Sequence, residues 1–324
     1  MSSSSFSQLA IVVVNYGSTT LLEANLAPLT RRQPELTVVI VDNFSTDEER
    51  TRLIALAARE NWNTVLPTGN TGFGGGMNRG VLHAEQLGAK LLLLMNPDVE
   101  IAEKALELLI EAGLADGDTL YSPQILRPDG SVWFNGSDLY LSDGRIRSAR
   151  RRTAGSTVAI EPWLSGACLL LTRELWNSTG GFDEQYFLYW EDVDFSHRVA
   201  RAGGRLKVLT EAIAVHAEGG TQEGGGYSHA GEPKSNTYYY YNIRNRLLFA
   251  VRHLDDQGLV RWSGLTRTIA WEVLQQGGRR QFTRSLSPLV AAFRGARDGR
   301  RLVKEELRSR RRRALALGRD AASR

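Results

Sequence analysis

The hydrophobic positions fall first into short continuous runs and later into helical spacing. Leu9-Ala10-Ile11-Val12-Val13-Val14 and Thr37-Val38-Val39-Ile40-Val41 are β-branched runs without alternation, the pattern of strands buried on both faces of a parallel sheet. Each is followed by a polar turn and an amphipathic stretch, carried by Leu21, Leu22, Leu26 and Leu29 and then by Leu53, Ile54, Leu56 and Ala57. Strands and helices alternating at these lengths predict a doubly wound α/β unit. Lys90-Leu91-Leu92-Leu93-Leu94-Met95 is the most hydrophobic run and predicts the central strand. Further strands are expected after Pro162, at Arg205–Leu209 and at Ala212–His216. Residues 119–160 read as turn-rich, with short strands and an Arg-rich flexible loop at Arg145–Arg152. A helical region begins near Tyr238.

Composition changes this picture in three places. The chain has 324 residues, enough for one large domain or two small ones. Residues 294–324 hold twelve Lys and Arg against four Asp and Glu, a net of +8, while the remaining 293 residues hold 28 against 32, a net of −4. The basic character therefore belongs to the tail, and a general nucleic-acid surface is not expected. The single cysteine, Cys168, lies in an apolar run, which excludes an intrachain disulfide and a cysteine zinc site. The start of the chain has no basic, cleavable leader and no apolar run reaches the roughly 20 residues of a membrane span. A cytoplasmic protein is expected, peripheral to the inner membrane if the tail binds lipid.

The candidate chemistry sits where strands end. Asn15, Tyr16, Asp42 and Asn43 follow the first two strands, at the carboxyl edge where doubly wound sheets bind ligands. The stretch from Gly69 to Gly80, with Gly72, Phe73 and Asn78, reads as a glycine-rich turn before a helix, able to offer N–H groups to phosphate. It lacks the Gly-Lys-Ser/Thr of a P-loop. Asn96-Pro97-Asp98 follows the central strand, where an acid can hold a divalent cation against a diphosphate. His216 ends a later strand, either as a structural histidine or as a second ligand. In Glu191-Asp192-Val193-Asp194, helical spacing sets Asp194 four residues before Arg198 as a solvated pair. Asp192 shares a face with Phe195 and Val199, so it is either a base with a tuned pKa, an N-cap or a buried ion pair.

Asn15-Tyr16, Val41 to Asp47, Gly69 to Phe73 with Gly76 to Gly80, Asn96-Pro97-Asp98, Ser165-Gly166-Ala167, Gly180 to Glu184 and Glu191 to Asp194 occur in an order that resembles family 2 glycosyltransferases, in the bacterial rhamnosyltransferase-like branch. The resemblance runs from about residue 9 to about residue 250. It implies a GT-A fold, a Rossmann-like, mostly parallel mixed sheet flanked by helices, here followed by a helical basic C-terminal tail. The implied organisation is a transferase domain over 1–250, with a nucleotide-binding half at about 9–118 and an acceptor and catalytic half at about 119–250, then an extension over 251–324.

The resemblance also implies roles. Asp42 and Asn15 would hold the nucleotide, with Tyr16, Asn43, Gly72, Phe73, Asn78 and Asn96 lining the nucleotide-sugar site. Asp98, the surviving acid of an Asp-x-Asp motif whose first position is Asn96, would share Mg2+ or Mn2+ with His216. Asp192 would be the catalytic base, with Glu191 beside it. The implied reaction is inverting transfer, best read as L-rhamnose from dTDP-rhamnose to a saccharide or polyprenyl-diphosphate-linked acceptor in cell-surface polysaccharide synthesis. Other donors, such as UDP-galactofuranose or a UDP-hexose, and a non-catalytic nucleotide-binding regulator remain as alternatives. The tail, apolar at Leu286, Leu289, Val290, Phe293, Leu302, Val303 and Leu307 among arginines and ending in Arg308–Arg313, is expected to meet an anionic membrane, its own domain or an oligomer partner.

Overall fold

The first predicted strand is β1 (Leu9–Asn15), buried along its whole length. The amphipathic stretch after it forms two short helices, α1 (Thr19–Asn25) and α2 (Ala27–Arg32), where one could be expected. Pro28 causes the break, because it cannot donate to a carbonyl of the preceding turn. β2 (Thr37–Asp42) leads to α3 (Asp47–Glu60), which starts with Glu49 N–H donating to the Thr46 hydroxyl and carries three acids in its first turn. β3 (Asn63–Val65), α4 (Gly72–Gln86), β4 (Leu91–Met95), β5 (Val99–Ile101) and α5 (Glu103–Ala115) follow. The structure is a computed structural model that describes residues 3–152, 158–217 and 234–322.

The middle of the chain is more ordered than its composition suggests. β6 (Thr119–Leu126) is a core strand, with Leu120, Tyr121 and Ile125 buried. β7 (Val132–Phe134) pairs with it, while β8 (Ser137–Tyr140), β9 (Arg145–Ser148) and β10 (Ile160–Trp163) make a separate small sheet. The Arg-rich segment expected as a flexible loop is strand in its first half and a 3-10 turn at Ala149–Arg151, and Arg152 is anchored on the buried Asp138 at 2.6 Å. β11 (Cys168–Thr172), α6 (Arg173–Thr179), α7 (Glu191–Arg201) and β12 (Arg205–His216) complete this part. The two runs expected as separate strands at 205–209 and 212–216 are one strand, whose register against β6 shifts between Leu209 and Ile213.

The main sheet has the order β3-β2-β1-β4-β11-β6-β12-β5. β3, β2, β1 and β4 are parallel, with Asn15 opposite Asp42, and β11 then runs antiparallel to both β4 and β6. β1, β2 and β4 thus end at one edge, beside the point where the strand direction changes. The predicted central strand, β4, lies between β1 and β11 and is buried throughout. α4 packs tightly on this sheet through its glycines: a β-carbon on Gly76 would lie 2.8 Å from Val14 Cγ2, and one on Gly80 only 2.4 Å from Val12 Cγ1.

The chain divides into two compact units, 1–139 with 146–228 and 140–145 with 229–324. The second contains α8 (Asn236–His253), α9 (Asp256–Gly264), α10 (Thr266–Gln275), α11 (Gln281–Arg284) and α12 (Ser287–Ala322). The boundary expected near residue 250 falls inside α8, which packs on α9, α10 and α12. Ala291, Ala292, Gly295, Gly299 and Val303 form the buried ridge of α12. A β-carbon on Gly295 would sit 2.5 Å from Tyr240 O, so small residues let the two helix backbones approach closely. Arg246 is buried in this unit, its guanidinium donating to Asp143 O and Trp262 O and lying 4.8 Å from the Trp262 ring centre. Burial lowers its pKa to about 9.

Candidate active site

The tips of β1 and β2 bring together polar groups that the fold does not satisfy. Asn15 is fully buried and accepts from Ser18 N–H at 3.0 Å, yet its Nδ2 has no partner. Asp42, also fully buried, holds Arg50 Nε through Oδ2 at 2.5 Å while Oδ1 is unpartnered. Thr19 Oγ1 at the start of α1 and Ser45 Oγ after β2 are in the same condition. Buried polar atoms without partners are costly, and four of them around one sheet edge mark a place prepared for a polar ligand. Tyr16 stands at the rim, 48 % exposed. Thr19 and Ser45 were not singled out in the sequence; their only signal is a hydroxyl in a turn after a strand.

The glycine-rich segment corrects the reading as a phosphate-binding turn. Gly74, Gly75, Gly76 and Gly80 lie within α4, where the N–H groups of Gly76 and Gly80 belong to helical hydrogen bonding and the missing side chains allow close packing. Only Gly69–Gly72 forms the turn, and Asn43 organises it. Asn43 Nδ2 donates to Asn70 Oδ1 and Gly72 O, and its Oδ1 accepts from Thr71 N–H and Thr71 Oγ1, all between 2.9 and 3.0 Å. Gly72 has a φ of +76°, and a β-carbon there would meet Phe187 O at 2.3 Å, so no other residue fits. Phe73 N–H then donates to the same Phe187 oxygen at 2.7 Å. Asn78 is likewise turned inward, donating to Phe182 O and accepting from Phe182 N–H at 2.9 Å each. The side-chain amides of Asn43 and Asn78 thus serve the loop architecture.

Asp98 and His216, 118 positions apart, meet because β5 and β12 pair antiparallel with His216 opposite Val99. Asp98 Oδ1 and His216 Nε2 are 3.1 Å apart, both side chains are buried, and the Trp133 and His216 rings lie edge to face with centres 4.4 Å apart. Two donors about 3 Å apart have the separation of neighbouring ligands around an octahedral ion with bonds near 2.1 Å. The pair therefore fits a divalent cation, although among the described residues no group of three or more His, Cys, Asp or Glu gathers that could hold one. Trp133 was missed in the sequence because an aromatic in a turn-rich stretch carries no chemical signature. Asn25 Nδ2 braces the Asn96-Pro97-Asp98 turn by donating to Pro97 O at 3.0 Å.

Asn96 N–H donates to Ala167 O at 2.9 Å, which joins this turn to Ser165-Gly166-Ala167. Gly166 N–H in turn donates to Asp192 Oδ2 at 3.0 Å, and Val193 N–H donates to Oδ1 at 2.8 Å. A β-carbon on Gly166 would lie 3.4 Å from both Asp192 Cβ and Phe73 Cε1, so acid, loop and turn are neighbours. Asp192 is half-buried, and desolvation lifts its pKa to about 6 against the backbone N–H groups of Gly166, Val193 and Asp192 itself, which lower it. Glu191 is buried with Oε2 unpartnered; desolvation and then the charge of Asp192 hold its carboxyl well above the usual range. The helix that carries them is reached through Phe187, Tyr189 and Trp190, all at positive φ, a run of strain of the kind retained at functional sites.

Asp194 differs from its expected form. It does pair with Arg198, at 2.8 Å, but the carboxylate is buried, not solvated, and also accepts from Tyr186 Oη at 3.2 Å. Arg198 continues to Gly181 O at 2.6 Å and to Thr179 O, so the pair clamps the Gly180-Gly181 turn.

Residues 10–175, just over half of the chain, match glycosyl transferase family 2. The chain belongs to this family. Over 265 residues it is 29 % identical to the N-acetylglucosaminyl-diphospho-decaprenol L-rhamnosyltransferase of Mycobacterium tuberculosis, covering 73 % of this chain and 85 % of the relative. It is 25 % identical to the low-salt glycan biosynthesis hexosyltransferase Agl10 of Haloferax volcanii, covering 74 % of each. Among solved structures it resembles the mannosyltransferase PcManGT of Pyrobaculum calidifontis in complex with GDP-Man and Mn2+, with a TM-score of 0.53, 15 % identity and coverage of 92 % of this chain and 86 % of the other. A second likeness is S. aureus TarS 1–349 in complex with UDP-GlcNAc, with a TM-score of 0.50, 18 % identity and coverage of 93 % and 92 %. The fold is GT-A, as the resemblance implied.

In this family 2 transferase, one line of contacts thus links most of the residues singled out in the sequence. Asn15 O accepts from Asn43 N–H at 2.8 Å, Asn43 holds the Gly72–Phe73 loop, and Phe73 and Asp192 flank Gly166. By sequence, Gly219, Gly220, Gly224, Gly225 and Gly226 make a loop that could close over a nucleotide, and residues 221–240, with 119–160, are where acceptor choice is expected; these glycines and most of 221–240 lie outside the described residues.

Proposed function

We propose that the chain is an inverting hexosyltransferase that moves L-rhamnose from dTDP-rhamnose to a saccharide carried on a polyprenyl diphosphate. The observation that carries the catalytic reading is Asp192: a half-buried carboxylate aimed by Gly166 N–H, with a pKa raised to about 6. Such a group is ionised at neutral pH yet basic enough to take a proton in the transition state. The acceptor hydroxyl gives its proton to Asp192 as its oxygen forms a bond to the anomeric carbon. The bond from that carbon to the diphosphate breaks on the opposite face, and the nucleoside diphosphate leaves. Burial, and then the charge of Asp192, push the carboxyl of Glu191 well above its usual range.

The open groups of Asn15, Thr19, Asp42 and Ser45 would receive the nucleoside, since each has a polar atom awaiting a partner. Asp98 and His216 would hold Mg2+ or Mn2+, and the bound ion would supply positive charge to the departing diphosphate. The Mn2+ named with the Pyrobaculum calidifontis structure supports a cation in this fold. The sugar and acceptor rest on the name of the Mycobacterium tuberculosis relative. In this reading the protein works on the cytoplasmic side of a membrane without crossing it; no helix among the described residues is long and apolar enough to do so. The test is transfer from a panel of nucleotide sugars to a synthetic polyprenyl-diphosphate N-acetylglucosamine. dTDP-rhamnose should be the preferred donor, the product should have inverted anomeric configuration, and excess chelator should abolish turnover. Preference for a UDP-hexose would replace the donor, and full activity in chelator would remove the cation.

A further inference from the structure

Leu286, Leu289, Val290 and Phe293, four of the exposed large apolar side chains of the second unit, gather at the start of α12, apart from Val260, Leu315 and Leu317. The helix's buried ridge of Ala291, Ala292, Gly295, Gly299 and Val303 leaves the opposite face outward, where Val290 is 56 % exposed and Phe293 69 %, and Leu286, the residue before the helix, is 67 % exposed. Val290 and Phe293, three residues apart, form a stripe on this face, and Leu286 adjoins the start of the helix. Trp271, half exposed, extends the apolar surface by stacking on Phe282, one turn before Leu286, with ring centres 5.9 Å apart and planes at 10°. A cleft of about 290 Å³ opens beside the stripe, lined among others by Lys234, Arg284, Ser285 and Ser287.

Charge decides what this surface fits. From Val273 to Arg297 the chain has no Asp or Glu, while Arg279, Arg280, Arg284, Arg294 and Arg297 fall in it. Arg279, Arg280 and Arg284 are exposed, and among the described residues none of them is ion-paired. A second copy of the chain would set arginine against arginine, and a nucleic acid would give Leu286, Val290 and Phe293 nothing to bury against. An anionic bilayer satisfies both halves: its headgroups neutralise the arginines, and its interfacial layer takes Trp, Leu, Val and Phe.

We infer that the start of α12, with Trp271 and the Arg279–Arg284 turn, docks the protein on an anionic lipid bilayer. The denser cluster Arg308–Arg313 is not the contact. Arg310 is committed to the helical packing, donating to Val251 O and Leu254 O and pairing with Asp256, and Arg313 is paired with Glu306 on the same helix. The inference extends the reading of a lipid-linked acceptor, but its test measures binding and no transfer, so its failure leaves that reading standing.

The test is co-sedimentation of the full chain with phosphatidylglycerol-containing vesicles and with pure phosphatidylcholine vesicles. Binding should need the anionic lipid and be reversed by salt. Leu286→Glu with Phe293→Glu, at exposed positions that leave the melting temperature unchanged, should weaken binding by roughly tenfold or more, and so should reversal of Arg279, Arg280 and Arg284 to Glu. Reversal of Arg311 and Arg312 should cost less than about threefold. The proposal fails if the protein ignores anionic vesicles at low salt, or if the Arg311 and Arg312 reversal removes binding that the Leu286 and Phe293 variant keeps. It also fails if sedimentation equilibrium shows a dimer that Phe293→Glu dissolves.

Discussion

The tips of β1 and β2 and the Gly69–Phe73 loop lie side by side and are equally rich in polar side chains, but they use them in opposite ways. The loop is held by Asn43, which follows β2 and spends its side-chain amide on Asn70, Thr71 and Gly72 in four hydrogen bonds. At the strand tips, Asn15, Thr19, Asp42 and Ser45 each keep a polar atom without a partner. The same contrast recurs two residues apart on α7, where Asp194 is buried and paired with Arg198 while Asp192 faces Gly166 and stays half-exposed. In the proposed reading, the groups that would meet a ligand are those the fold leaves with an unpartnered atom or an open side, and the groups that hold the fold are those it satisfies.

The largest expected effect separates the two aspartates. Asp192→Asn should lower turnover by roughly 100-fold or more, with donor binding retained, because the base is lost and the shape is kept. Asp194→Ala should instead lower stability by about 3 kcal/mol, since it leaves Arg198 without its carboxylate. Denaturant melts and single-turnover rates on both variants would show the split. Equal rate losses at equal stability would erase it.

A smaller effect follows from the pKa of Asp192, about 6 in the folded protein. The base works ionised, so kcat/KM should fall about tenfold per pH unit below that value and level off above it. Stability carries the opposite sign. Because the folded pKa is raised above the ordinary Asp value of about 3.9, its contribution is complete below that pH and lost as pH rises through about 6. Asp192→Asn should therefore melt higher than the parent at pH 8, with the gap closing towards pH 4. A gap that is constant with pH would assign it to packing.

The smallest effects test the strand tips against the loop. Thr19→Val removes an unpartnered hydroxyl, so stability should stay within about 1 kcal/mol while donor affinity falls roughly three- to tenfold. Asn43→Ala should do the reverse, costing about 3 kcal/mol of stability through four lost hydrogen bonds. Calorimetric titration with the nucleoside diphosphate alone, beside thermal melts, reads both. A stability loss in Thr19→Val would mean that its hydroxyl already has a structural partner.

Much of this was legible along the chain because strands buried on both faces demand unbroken apolar runs, as in Leu9–Val14 and Leu91–Met95. Strand ends then fixed where Asn15, Asp42 and Asp98 would stand, since a strand delivers the next residue to the sheet edge. Other features depend on partners distant in sequence, and no local pattern encodes them. Asp98 meets His216 only through the pairing of β5 with β12. Gly76 and Gly80 look like a phosphate turn until Val12 and Val14 are seen against them. Asp192 and Asp194 carry the same chemical group two positions apart, and helical spacing alone gave the solvated role to the one that is buried. What assigned them was Arg198 and Tyr186 on one side and Gly166 on the other. A chain can declare which of its residues are polar and where its strands stop. Whether a polar group is left wanting a partner depends on every atom packed around it, and only the tertiary structure decides that.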